Sequence, residues 1–363
     1  MINKSILRRR AKMNIAVLFG GKSSEYEVSC SSVCNVLHLL EDEKYTVHKI
    51  GITREGAWML TRAGAEEIRS GSWERREDNT AAWILPDPSV GGLRTAAGQV
   101  IPLDCAVPVL HGKNGEDGSI AALLQLAGIP QVTTSMTSAA NSMDKALTKL
   151  ICREAGILQA KWKMVYSRAL SDLDRVVEDL EQALPYPVFV KPASAGSSVG
   201  ISKCACRDQL VKGLRLAAQH DFKIIVEETV IGQEVEVAVL GDEEPFASVP
   251  GEIVPAAEFY DYDAKYHDAA SRLFIPARLE AHTAQRLQAA AVAVFKAMEC
   301  SGLARVDFFV RPDGEPVFNE LNTIPGFTDI SMYPKLMEAS GIPGEALMER
   351  LIALARARAF SER

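Results

Sequence analysis

The segment Arg305–Thr328, RVDFFVRPDGEPVFNELNTIPGFT, sets Arg305, Asp307, Glu320 and Asn322 around an apolar hairpin. A turn at Arg311–Gly314 is expected to bring Arg305 opposite Glu320 and Asp307 opposite Phe318. Paired residues, and residues two apart on one strand, share a face. Arg305, Asp307, Phe309, Phe318, Glu320 and Asn322 are then predicted to point one way, and Val306, Phe308, Val310, Val317 and Leu321 towards a core. Two carboxylates and a carboxamide oxygen make a hard-oxygen set of the kind Mg²⁺ takes, with phosphate oxygens and water completing its octahedron. Arg305 beside them suits an anionic substrate group. An exposed strand face with an Arg–Glu pair would look the same, so the other loops have to decide.

Four further stretches could do chemistry. KPASAGSSVG (Lys191–Gly200) follows a strand and is small enough for backbone N–H groups to close on phosphate oxygens. Its lysine precedes the glycines, so it is not a Walker loop; it reads as a mobile phosphate lid or a plain Gly/Ser turn. VEETVIGQE carries Glu227, Glu228, Val230 and Glu234 at a strand end. Such an edge can read an adenine ring and ribose hydroxyls, although spacing alone favours an ordinary acidic connector. FGGKSSEYEVS has the strand–glycine–helix form that binds anions. It carries Glu25 and Glu27, which would serve there as caps and dipole complements unless one faces a cationic amine. Of the six histidines, His111 follows a strand in LHGKNGEDG and could touch a substrate.

These residues need a scaffold. Asn14–Gly21 reads as a buried strand, Glu27–Leu40 as a helix and Tyr45–Ile52 as a second strand, the opening of a parallel sheet. Thr61–Gly98 is polar and irregular and is expected to decorate an edge. Asp104–Leu110 is a strand, and the helix Ile120–Ala127 closes this unit. Ser138–Ala155 reads as one helix with Lys145 and Lys149 a turn apart. A compact α+β module follows, with strands at Trp162–Tyr166 and Pro187–Pro192 and helices at Asp172–Ala183 and Arg207–Gln219. Strands resume from Lys223, interrupted by AAEFYDYDAKYHDAAS (Ala256–Ser271), too long for a tight turn and expected to be functional. His282–Cys300 and two C-terminal segments are helical.

A chain of 363 residues suggests two or three domains. With 47% apolar and 24% charged residues it fits a globular protein, and a net charge of −7 argues against a general nucleic-acid binder. The seven scattered cysteines do not form a disulfide or zinc pattern. They fit a reducing cytoplasm. No stretch is long enough for a membrane span, and the basic start Met1–Lys12 lacks the features of a secretory signal.

Taken in order, FGGKSSEYEVS, VLHGKNGEDGS, MDKALTK, VKPASAGSSVG, EFYDYDAKY, ARVDFF and NELNTIPGFT resemble the D-alanine–D-alanine ligases of the ATP-grasp superfamily, over nearly the whole chain from about Met13. The resemblance implies an α/β fold of α+β modules in three domains. These are an N-terminal substrate domain over residues 1–133, a central lid domain over 134–226 and a C-terminal catalytic domain over 227–363. It implies that ATP phosphorylates the carboxylate of one D-alanine and that the amine of a second attacks the acyl phosphate, supplying peptidoglycan precursors. Lys145 and Lys191 match lysines that hold ATP phosphates; Glu227, Glu228, Val230 and Glu234 match the nucleotide edge, with Phe309 on the ring. Asp307, Glu320 and Asn322 match the ligands of two Mg²⁺ (or Mn²⁺) ions. Arg305 and the Gly326 N–H match groups that steady the tetrahedral intermediate. Glu27 matches the carboxylate that holds the first amino group, with Ser197 and Tyr266 as its partners. Lys265, Ser331 and Met332 match the second-substrate site, and His111 a residue near the first. A homodimer is also implied.

One motif departs from the housekeeping pattern. The lid reads Ser194-Ala195-Gly196-Ser197-Ser198 where Arg-Glu-Gly-Ser-Ser is frequent, as in vancomycin-resistance relatives that make D-Ala–D-Ser or D-Ala–D-lactate. Lys265-Tyr266 and the apolar Met332 point back to D-Ala–D-Ala, with D-Ala–D-Ser second. Another ATP-grasp carboxylate–amine ligase and a non-catalytic nucleotide-binding protein are the broader alternatives.

Overall fold

The computed structural model describes residues 12–254 and 272–361. Three sheets carry the chain. The first is built from β1 (Met13–Gly20), β2 (Tyr45–Ile52), β3 (Trp58–Thr61), β4 (Thr80–Ile84), β5 (Gly92–Thr95), β6 (Val100–Pro102) and β7 (Cys105–Val109), in the order β6-β5-β4-β3-β2-β1-β7. β1 pairs in parallel with β2 and β7, and the remaining pairs are antiparallel. Ile15–Phe19 are all fully buried: Ile15, Val17 and Phe19 feed one core, Ala16 and Leu18 the other. This is the uninterrupted apolar run of a strand covered on both faces. Helix α1 (Tyr26–Leu39) follows β1 and packs on the first of these cores.

Thr61–Gly98 does more than decorate an edge. After the short α2 (Ala65–Arg69), β4 and β5 extend the sheet as antiparallel strands. Pro and Gly interrupt the apolar residues there too often for a periodic pattern to be visible. Helix α3 (Ser119–Leu126) completes this layer.

The segment expected as one helix is two. α4 (Met136–Met143) ends at Asp144, whose side chain caps α5 (Lys145–Glu154) by accepting from the N–H groups of Ala146 and Leu147. A carboxylate satisfies these unpaired first-turn donors well, so the break fixes Lys145 as the first residue of α5.

The second sheet contains β8 (Trp162–Tyr166), β9 (Val188–Pro192), β10 (Ser202–Cys204) and β11 (Lys223–Glu228), ordered β10-β9-β11-β8, with α6 (Leu173–Ala183) and α7 (Arg207–Ala217) on one face. The third contains β12 (Gln233–Gly241), β13 (Phe246–Ala247), β14 (Gly251–Val254), β15 (Arg272–Phe274), β16 (Gly302–Val310) and β17 (Pro316–Asn322), ordered β15-β14-β12-β16-β17 with β13 beside β12. Helix α8 (Ala281–Ala297) buries Leu287, Ala291, Val294 and Phe295 against Val235, Val237, Val306 and Phe308. On the opposite face Ala238, Leu240 and Leu303 join a second core, while Glu234, Glu236, Arg305, Phe309, Glu320 and Asn322 line cavities. α9 (Met332–Ala339) and α10 (Gly344–Ser361) join the third sheet to the first through a common core.

Candidate active site

The β16–β17 hairpin differs in register from the expectation. Arg305 pairs with Asn322 and Asp307 with Glu320, whereas Phe308 pairs with Phe318. Two one-residue offsets produce this. The turn closes through Arg311 N–H to Glu315 O, with Gly314 in the left-handed region, which adds one residue to the second strand. A bulge at Asn319 adds another, and Phe318 N–H donates to Leu158 O instead of to β16. Two offsets restore the alternation, so Arg305, Asp307, Glu320 and Asn322 do share a face. Between the offsets it is inverted: Phe318 is 1% exposed in the core beneath, and Asn319 lines the cavity instead.

β12 adds a third row. Glu236 pairs with Asp307, which pairs with Glu320; Ala238 pairs with Arg305, which pairs with Asn322. Arg305 makes a two-pronged contact with Asp307, Nε to Oδ1 at 2.8 Å and Nη2 to Oδ2 at 2.7 Å, and its Nε is 3.1 Å from Glu236 Oε2. Burial alone would lower the guanidinium pKa; Asp307 and Glu236 outweigh it and keep the group charged.

The substrate end of this cavity, about 410 Å³, is closed by loops. Glu25 is 6% exposed and accepts a hydrogen bond from Ser197 Oγ, which ties the lid to the β1–α1 turn. A Cβ at Gly112 would lie 2.3 Å from Glu25 Oε2 and one at Gly196 2.8 Å away, so two loops close on this carboxylate because glycine leaves room. Glu27 does not enter the cavity. It is exposed and ion-pairs with Arg54 at 2.6 Å, one helix position pair away from Glu25 and on the outer side of α1. The carboxylate at the cavity, where the amine-facing role was expected of Glu27, is thus Glu25. The motif contains both, and the loops that close over Glu25 from elsewhere in the chain separate them.

His111 lines the cavity but is occupied. Nδ1 is 3.0 Å from Ile324 O, which can only accept, so Nδ1 carries the proton. Nε2 then accepts from Ser32 Oγ at 3.1 Å, and Ser32 Oγ accepts from Phe327 N–H at 3.2 Å. Burial pushes the imidazole pKa down, which suits the neutral ring this arrangement needs. Ser32 and His111 thus fasten the Gly326 loop to the first sheet. Glu116 donates no charge to spare: burial, with Glu25 nearby, raises its carboxyl to about 8, and its Oε2 accepts from Gly112 N–H. Ser331 Oγ accepts from Thr328 N–H at 2.9 Å, and Met332 is buried beside it. Lys265 and Tyr266 lie outside the described residues.

A second cavity of about 560 Å³, room for a nucleotide, adjoins the first at Lys145, Lys149, Asn319 and Glu320. Lys191, Glu227, Glu228, Val230, Glu234 and Phe309 line it, so the residues expected at the nucleotide come together. Lys145 Nζ donates to Ala195 O of the lid at 2.7 Å and is 3.9 Å from Glu320 Oε2. Glu227 is held between Lys149 at 3.0 Å and Lys191 at 2.8 Å. Burial would raise its carboxyl, but the two ammonium groups bring it to about 2. Glu228 accepts from Lys161 N–H at 2.9 Å.

Two family models match the chain: "D-ala D-ala ligase N-terminus" over residues 14–134 and "D-ala D-ala ligase C-terminus" over residues 151–353. The chain belongs to the D-alanine–D-alanine ligase family. It is 46% identical over 349 residues to the D-alanine–D-alanine ligase of Caldicellulosiruptor bescii, covering 95% of each. It is 44% identical over 353 residues to that of Clostridium acetobutylicum, covering 96% of this chain and 99% of the relative. Among solved structures it is similar to the VanG D-Ala:D-Ser ligase of Enterococcus faecalis, with a TM-score of 0.87, 40% identity, and coverage of 95% of this chain and 99% of that one. The D-alanine–D-alanine ligase of Coxiella burnetii gives a TM-score of 0.85 at 33% identity, covering 97% and 96%.

The fold of this D-alanine–D-alanine ligase family member is thus the three-domain ATP-grasp fold, and ATP is the family's nucleotide. Of the charged residues lining the two cavities, sequence reasoning missed Glu116 and Glu236 and gave no site role to Glu25 and Lys149, although it noted both. Lys149 was legible as a partner of Lys145 one helical turn on, and Glu236 as the next same-face residue after Glu234. Nothing local separates Glu25 from Glu27. Among the described residues no three His, Cys, Asp or Glu side chains are grouped so as to hold a metal ion by themselves. Asp307, Glu320 and Asn322 nevertheless offer hard oxygens on one face, a donor set that fits Mg²⁺ arriving with phosphate ligands of its own. No helix among the described residues is long and apolar enough to cross a membrane.

Proposed function

We propose that this protein joins two D-alanines to D-alanyl-D-alanine, with ATP converted to ADP and phosphate. The observation that carries the reading is the pairing, across one cavity, of the Glu25 carboxylate with the Arg305 guanidinium, next to the Lys145–Glu320 junction with the nucleotide cleft. A zwitterionic amino acid spans that gap, its ammonium on Glu25 and its carboxylate towards Arg305 and the transferable phosphate.

The carboxylate oxygen of the first D-alanine attacks the γ-phosphorus and ADP leaves. The amine of the second D-alanine, once it has lost a proton, attacks the acyl carbonyl, and phosphate departs. Arg305 and the Gly326 N–H are suited to the oxyanion that forms between these steps. Lys145 and Lys191 supply positive charge for the phosphates, and Ser197 closes the lid on Glu25, excluding water that would hydrolyse the acyl phosphate. Asp307, Glu320 and Asn322 would hold two Mg²⁺ ions, which when bound neutralise phosphate charge and align the reacting groups. The N–H and carbonyl groups around Val230, with Glu234, would take adenine and ribose. Lys265 and Tyr266 would complete the second-substrate site.

Ile330, Leu273 and Met332 give the far side of the cavity an apolar lining beside Ser331, which favours the methyl of D-alanine as second substrate. A D-Ala–D-Ser activity is the second reading, favoured by the lid sequence Ser194–Ser198 and the likeness to the VanG enzyme. Incubating the protein with ATP, Mg²⁺ and D-Ala, or D-Ala plus D-Ser, and identifying products beside phosphate release separates the two. A dominant mixed dipeptide would overturn the first reading, and no phosphate release with any D-amino acid would overturn both. A cytoplasmic location suits the seven unbridged cysteines, and the homodimer implied by the resemblance is open to light scattering.

A further inference from the structure

Arg305 has more anionic partners than one guanidinium needs. Its Nε donates to Asp307 Oδ1 at 2.8 Å, and Glu236 Oε2 stands 3.1 Å from the same nitrogen. Glu236 is 4% exposed, so its carboxylate was taken out of water although Asp307 already meets Arg305 with both oxygens. Burying a second carboxylate is costly unless its charge is used. The strand pairing gives the use. Glu236, Asp307 and Glu320 stand in one row across β12, β16 and β17, with Asp307 in the middle. Asp307 is at once the partner of Arg305 and one of the oxygens fit for a divalent cation. A cation on the lone pairs that Arg305 leaves on these oxygens would draw on the same negative charge and weaken their hold on the guanidinium.

We propose that Glu236 is a positioning residue that lets Arg305 release Asp307 to the cation. This rests on the metal reading given above. When a cation draws on Asp307 and Glu320, the Nε–H of Arg305 turns to Glu236, already within reach, and the guanidinium keeps both a buried counter-charge and its place. Ala238, the small residue paired with Arg305 on β12, leaves the guanidinium room to do so. With glutamine at 236, Arg305 would lose its carboxylate on β12 and lean more on Asp307, so the cation would compete with a guanidinium held more firmly there. The local potential would also lose one negative charge. Both effects weaken cation binding.

The test measures Mn²⁺ binding by the loss of its free electron-paramagnetic-resonance signal, with ADP present, for the full-length protein and three variants. Glu236→Gln is expected to raise the Mn²⁺ dissociation constant at least about tenfold while metal-free ADP affinity stays within about twofold, and Glu236→Asp to recover part of the loss. Arg305→Gln, which removes the competitor, is expected to bind Mn²⁺ at least as tightly as the wild type. The double variant Glu236→Gln/Arg305→Gln should regain what Glu236→Gln lost, which keeps the proposal testable if the single variant folds poorly. Equal Mn²⁺ affinity in wild type and Glu236→Gln, or a double variant no better than Glu236→Gln, overturns the proposal and leaves the ligase reading intact. A wild type that binds no Mn²⁺ with ADP overturns the metal reading itself.

Discussion

Glu227→Gln removes the one anion between two buried ammonium groups and nearly nothing else. Glu227 is 4% exposed, with Lys149 at 3.0 Å and Lys191 at 2.8 Å. Its carboxyl is drawn from 4.5 to about 2; at ~1.4 kcal/mol per unit this corresponds to roughly 3 kcal/mol of stability. Removing one partner of a buried ion pair typically costs about 3–5 kcal/mol, so two routes reach a similar size. The sign follows from linkage. A depressed carboxyl contributes fully above its unfolded value of 4.5 and loses that contribution as pH falls towards 2. Urea unfolding of wild type and variant at pH 7 should differ by about 3 kcal/mol, and the gap should shrink steadily from pH 4.5 downward. Replacing Lys149 by Met in the same chain should return part of the loss, because one of the stranded ammonium groups is gone. A gap at pH 7 below about 0.5 kcal/mol, or one that does not change on acidification, would refute the reasoning.

Glu25→Gln should lower kcat/KM for the first D-amino acid about 10- to 100-fold, the size of a lost charge-assisted hydrogen bond. Glu27→Gln, which breaks only the exposed pair with Arg54, should stay within about twofold by the same steady-state assay. Ser32→Ala strands the Phe327 N–H and His111 Nε2, and should cost about 1–3 kcal/mol in denaturant unfolding and lower kcat more than it raises the KM for ATP. Glu116 is held protonated, with its carboxyl raised to about 8. Its contribution to stability is therefore present below pH 4.5 and lost as pH rises through about 8. Glu116→Gln should flatten that slope in melting curves taken from pH 5 to 9, while the amide oxygen still accepts from Gly112 N–H.

Much of this molecule was determined by sequence alone. The apolar run Ile15–Phe19 reads as a buried strand and is one, because that pattern follows from side-chain size and periodicity. The order of the motifs pointed to the family. Parity was legible too: Arg305, Asp307, Glu320 and Asn322 share a face as expected. What only the tertiary structure decided was which residue of a local set meets which partner. The hairpin register depended on a bulge made when Phe318 N–H bonds Leu158, a residue far away in the chain. Glu25 and not Glu27 enters the cavity because the Gly112 and Gly196 loops close over it from other parts of the chain. Lys149 and Glu227 meet because α5 packs beside the end of β11. In each case the deciding energy is an interaction between distant segments, to which no local pattern of residues gives access.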